Sequence, residues 1–227
     1  MNQPANLDLT SLSFEQFLDF FFQHPEGEQF WYAEPQYALQ DATISGTVLI
    51  GYLTRLFSDF ESAVSKYSPA QISHGIWAMF SPSFSLLDVL WDSSVALEKR
   101  TACIRAMAPL FKIYAVSHEA EPLQKCFYMW WHMVVTGFWA QAGQFEAQDL
   151  SVLNSQSATL LESLFQTLTE ILASEDARAQ GYALHGLGHL HDPRVHDIVQ
   201  SYLNENEHRF TEEHVQWIEQ CRDGIVS

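Results

Sequence analysis

Residues 174–203 read SEDARAQGYALHGLGHLHDPRVHDIVQSYL, and the fold class is decided there. Ala179, Tyr182, Ala183, Gly186, Leu187 and Leu190 recur at spacings of three and four, the period of one buried face on an α-helix. Ahead of them, Ser174-Glu175-Asp176 offers an N-cap oxygen and carboxylates for the positive end of that helix. Asp192-Pro193 closes it and opens the next, since proline suits a first turn and cannot continue a helix interior. Val195, Ile198, Val199, Tyr202 and Leu203 then make a second apolar stripe.

The same period extends outward in both directions. Upstream, Leu160, Leu161, Leu164, Phe165, Leu168, Ile171 and Leu172 predict a helix over 156–172. Downstream, Thr211 caps a last helix faced by Val215, Ile218 and Cys221, with Gly224 near its end. Towards the N-terminus, Ser13 with Gln16 and Ser68 with Gln71 have capping-box spacing, and each pair opens an apolar run. A broad apolar face of Val48, Leu49, Tyr52, Leu53 and Leu56 predicts a helix over 43–57. Residues 96–116 read as one long helix, bent at Pro109, with Lys99, Arg100, Arg105 and Lys112 as a solvated basic face. Residues 123–139 are apolar on nearly every side, which places that helix at the centre of a core. The alternative for that segment is an aromatic ligand pocket around Trp130, Trp131 and His132. Strand signals are missing from the sequence.

The segment beginning at Glu175 resembles a HEAT-type helical repeat. Asp176 and Arg178 flank a turn, Ala179 and Ala183 are small, and Leu187-Gly188 with Leu190 ends the second helix. Corresponding helices recur after about 35 residues, within the range of helical-hairpin repeats. The following unit lacks the Arg and the Leu-Gly, and so reads as a terminal cap over residues up to 223. The resemblance implies partner binding in general and names no partner. The expected architecture is therefore all-α: one helical domain over 1–227, irregular over 1–150 and an α-solenoid-like stack of HEAT-like hairpins over 151–227.

Composition narrows the function classes. An apolar share of 47% argues against disorder, because so much apolar surface favours burial. Eleven Lys and Arg against 28 Asp and Glu give a net charge of −17, a field that repels nucleic-acid phosphate and anionic lipid and attracts cationic partners. Neither a nucleic acid nor a membrane is expected as a partner. Three widely spaced cysteines and no secretory pattern at the N-terminus fit reduced thiols in a cytoplasm.

Chemistry-bearing patterns are few. His185 and His189 stand four apart on one helical face, a spacing able to chelate zinc or nickel. The residue after His185 is Gly186, where a zincin needs its glutamate base, and Arg178 near the same stripe opposes a cation. Gly181 and Gly188 on that side suggest close approach by another helix. Hydrogen bonding of the two histidines across a helix–helix contact is thus favoured over a metal-dependent enzyme centred on them. No cofactor is expected. Esterase, P-loop and dinucleotide motifs are missing.

A second pattern lies near the N-terminus. No Lys or Arg precedes Arg55, while Asp8, Glu15, Asp19, Glu26, Glu28, Glu34 and Asp41 do. Phe30, Trp31 and Tyr32 interleave with these acids. Carboxylates beside exposed rings suit Lys and Arg through ion pairing and cation–π contact. Glu26, Glu28, Trp31 and Glu34 are therefore the expected partner-binding residues, with Trp31 as anchor. The expected function is a non-enzymatic protein-interaction module that binds a basic protein, for example an acidic inhibitor of the immunity-protein kind.

Overall fold

Ser13 and Ser68 start their helices by the same reciprocal device. Each hydroxyl accepts from the backbone N–H three residues on, and Gln16 or Gln71 returns its side-chain oxygen to the serine N–H. The resulting helices, α1 (Phe14–Phe22) and α4 (Pro69–Phe80), pack on each other. Their approach is close at Gly75, where a Cβ would come within 2.2 Å of the Phe22 ring.

The computed structural model describes residues 9–26, 31–33 and 44–226. Among these there are helices and turns and no strand. The chain divides into two compact units, Met1–Cys126 and Phe127–Ser227. The division comes earlier in the sequence than the expected change of character at 150/151, and it falls within a helix.

In the first unit, α2 (Gly46–Ser58) packs on α5 (Leu97–Pro109), with α3 (Phe60–Val64) following α2. Leu49, Ile50, Leu53, Leu56 and Phe57 are the buried face of α2. Pro109 does not end the long middle helix. With no N–H at the proline, the ladder widens to a π-helical turn over Leu110–Tyr114 before α6 (Ala115–Ser117). The solvated basic face expected on this helix needs correction at Arg100, which is only 2% exposed. Asp92 and Glu98 lie near enough to favour the charge that burial opposes.

The second unit begins within α7 (Glu121–Gln141) and continues through α8 (Ser155–Leu172), α9 (Ala177–Leu190), α10 (Arg194–Asn206) and α11 (Glu212–Asp223). The caps follow the sequence: Asp176 accepts from the N–H groups of Arg178 and Ala179, Thr211 from that of His214, and Gly224 ends α11 in the left-handed region. α8 packs on α9, α10 on α11, and α9 on both α10 and α11. Trp130, Trp131, Phe138 and Trp139 are buried, in keeping with a core role for α7.

α9 is buried on almost every side, beyond the single stripe the periodicity shows. Glycine makes this possible. A Cβ on Gly186 would lie 2.6 Å from Leu168 of α8 and 2.8 Å from Trp131 of α7. On another side Gly188 meets the Cys221 backbone of α11, as the glycine spacing suggested, whereas Gly181 faces open space. No helix among the described residues is long and apolar enough to cross a membrane.

Candidate functional site

Three imidazoles meet inside the second unit. α9 places His185 and His189 on one face, and α7 brings His132 and Tyr128 against them. His185 is fully buried and its ring stacks on Tyr128 at 4.1 Å. Its Nδ1 lies 2.9 Å from the Tyr128 carbonyl oxygen, which can only accept, so Nδ1 carries the proton. Neutral His185 then presents a lone pair at Nε2, and His189 Nε2, 3.2 Å away, donates to it. His132 Nδ1 lies 3.1 Å from that same His189 nitrogen. One N–H is therefore shared between two acceptors. Trp139 Nε1 donates to the His189 carbonyl at 3.3 Å and ties α7 to α9 again.

Burial keeps this cluster uncharged. It drives the His189 pKa down to about 3, helped by the neighbouring imidazoles, and it lowers His185 and His132 as well. The two histidines of α9 do hydrogen-bond across a helix–helix contact, as their setting suggested. Among the described residues no group of three or more His, Cys, Asp or Glu is arranged to hold a metal ion. All three cysteines are buried and outside any disulfide, with the Cys103 and Cys221 thiols pushed by burial to about 12, far from a reactive thiolate.

The acidic N-terminal surface is built differently from the expectation. Trp31 is 1% exposed and so cannot serve as an exposed anchor. It sits in a 3₁₀ turn (Trp31–Ala33), stacked on His24 at 3.7 Å, with Phe20, Phe84 and Tyr32 meeting it edgewise or at a tilt. So large an apolar ring gains more from such packing than from lying in water. Glu26 is exposed, and Glu28 and Glu34 lie outside the described residues. The acids of α1 are also less free than the sequence suggests. Glu15 pairs with Arg55 at 3.4 Å, and Asp19 with Lys66 at 2.7 Å while accepting from the Tyr67 hydroxyl. Those contacts hold the Asp19 carboxyl below its ordinary pKa.

The larger charge excess belongs to the second unit. Residues 127–227 hold four arginines, no lysine and fourteen carboxylates, against seven cations and fourteen carboxylates in residues 1–126. Three of those arginines are visibly engaged. Arg194 lies 3.8 Å over the Phe165 ring and bonds Asp192 at 2.7 Å and Glu162 at 2.8 Å. Arg222 bonds Asp223 and the side-chain Oε1 of Gln200, and Arg209 bonds Asn206. Exposed carboxylates at Glu175, Asp197, Glu205, Glu207, Glu212 and Glu213 remain in excess over them.

One cleft gave no signal in the sequence. In the first unit Tyr32, His74, Trp77, Glu121 and Lys125 border about 360 Å³. His74 Nδ1 is buried there with no hydrogen-bond partner among the described residues, and burial lowers the ring's pKa. The lining comes from three separate stretches of chain, so no local spacing announces it.

No family model, curated protein or solved structure matches this chain.

Proposed function

We propose that this chain is a non-enzymatic protein-interaction module whose partner is a basic protein, with inhibition of that partner, as by an immunity protein, as the sharper form. The observation that carries the reading is the charge of the second unit, where fourteen carboxylates face four arginines. Such a field speeds encounter with a cationic surface and deters phosphate and anionic lipid. The HEAT-like reading of residues 156–223 belongs to the same proposal. Two consecutive hairpins, α8 with α9 and α10 with α11, and the packing of α9 on α11 support it. Arrays of this kind offer extended surfaces to other proteins.

The test is affinity capture from the native host with the full chain, followed by identification of what is retained at low salt and released at high salt. A basic protein, retained in one-to-one proportion, is the expected result. Retention of an acidic protein, a nucleic acid or a small metabolite alone would overturn the proposal.

A further inference from the structure

The ends of α8 and α10 and the start of α9 enclose a groove of about 480 Å³ within the second unit. Its floor is apolar, with Leu172 and Ile198, and its wall is the half-buried Tyr202 ring. That ring is held at its hydroxyl, and Phe210 lies against it at 6.0 Å between centroids with a 36° tilt. The Tyr202 hydroxyl donates to Gln180 Oε1 at 2.9 Å, and Gln180 Nε2 donates to the Ser174 carbonyl at 2.8 Å. Over the floor stand two carboxylates, Asp197 and Glu205, and no Lys or Arg is among the residues that line it.

α8 ends at Leu172 and α10 at Asn206 on the border of this space, and the first turns of α9, at Gln180, and of α10, at Asp197, border it too, so helix-dipole ends of both signs meet there and the carboxylates set its charge. Asp197 and Glu205 stand eight positions apart on α10, about 12 Å along the axis, with Tyr202 between them in sequence. The Asp197 carboxylate is 91% exposed, and its neighbour is the His196 ring at 3.2 Å. Arg209 bonds the lining residue Asn206 at 2.8 Å, and its charge is felt at Tyr202. A cation arriving from outside thus meets two carboxylates and an aromatic ring. A planar guanidinium can lie flat on Tyr202 while its edge pairs bidentately with a carboxylate, a combination the point charge of an ammonium does not offer.

We propose that this groove seats an arginine of the basic partner together with an adjacent aliphatic side chain. The arginine lies along Tyr202 between Asp197 and Glu205, and the aliphatic group rests on Leu172 and Ile198. This rests on the interaction-module reading, and it commits that reading to one surface. Charge complementarity selects the occupant: the apolar floor alone would accept any aliphatic group, while the rim rejects an acidic or phosphorylated one.

The test uses the full chain with labelled isoleucine methyl groups and labelled tyrosine rings, titrated at low salt with the capped pentapeptide Gly-Leu-Arg-Leu-Gly. The glutamate counterpart Gly-Leu-Glu-Leu-Gly is the control. Saturable shifts of the Ile198 methyl and the Tyr202 ring are expected with the arginine peptide only. Joint Asp197→Asn and Glu205→Gln exchange should weaken binding about fivefold, the scale of two partly exposed charge pairs. Joint Glu146→Gln and Glu175→Gln exchange, at exposed positions outside the groove, should leave it within about twofold. Shifts elsewhere, with affinity untouched by the groove exchanges, would overturn the groove and leave the basic-partner reading standing. If neither the peptide nor poly-lysine associates at low salt, both fail. Self-association that Asp197→Lys abolishes would also overturn it, because a second copy would then be the occupant.

Discussion

The N-terminal acids stand in a stretch without Lys or Arg, those of the last four helices stand among four arginines, and the folded chain treats the two differently. Glu15 and Asp19 draw Arg55 and Lys66 from 40 and 47 residues downstream, so part of the uncompensated run in the sequence is compensated in space. In the second unit Arg194, Arg209 and Arg222 bond Asp192, Glu162, Asp223 and Asn206, with Glu162 32 residues from Arg194, and with fourteen carboxylates to four arginines the excess stays. A charge run along the chain is therefore a poor guide to field. What decides it is whether long-range packing delivers the opposite sign.

The largest effect should fall on Trp31. As a core ring it should cost about 3–5 kcal/mol of stability on replacement by alanine, read from the urea midpoint. A fully stable Trp31→Ala chain that had lost only partner affinity would restore the N-terminal surface as the interface and break the comparison.

Acid should separate the two regions next. His189 is neutral in the fold, with its pKa lowered to about 3, and binds a proton in the unfolded chain near its ordinary value of about 6.5. Between those values the unfolded state holds more protons, so stability contributed by this group is fully present above about pH 6.5 and falls as pH drops towards 3. The loss should approach about 1 kcal/mol per pH unit, with His185 adding in the same direction. Amide exchange followed against pH should show α9 losing protection in this range. If His189→Gln leaves that profile unchanged, the buried imidazole is not its source.

Two glycines of α9 sharpen the picture at smaller scale. Gly186→Ala forces a methyl against Leu168 and Trp131 and should destabilise by about 1–3 kcal/mol. Gly181→Ala meets open space and should stabilise by about 0.5–1 kcal/mol, since a helix interior favours alanine. Equal signs in thermal melts would contradict the packing around α9.

Much of the fold was legible because it is local. Both capping boxes, the Asp176 and Thr211 caps, the Gly224 terminus and the apolar stripes all depend on residues within one turn of each other. Long-range features were not. The burial of Arg100 and Trp31, the His132 contact on His189 and the groove beside Tyr202 each join stretches far apart in the chain, and no spacing rule encodes that. His185 and His189 could be singled out from their interval of four. Their third partner could not, since His132 is 57 residues from His189.

The direct test of the basic-partner reading is the association rate of the captured partner as a function of ionic strength, by stopped flow with the intact chain. Screening shortens the reach of the field from about 10 Å at 0.1 M salt to about 3 Å at 1 M. A rate that falls by about tenfold or more over that range, with dissociation changing much less, is the expected result. A rate indifferent to salt, or one that rises with it, would contradict a module recruited by its negative surface.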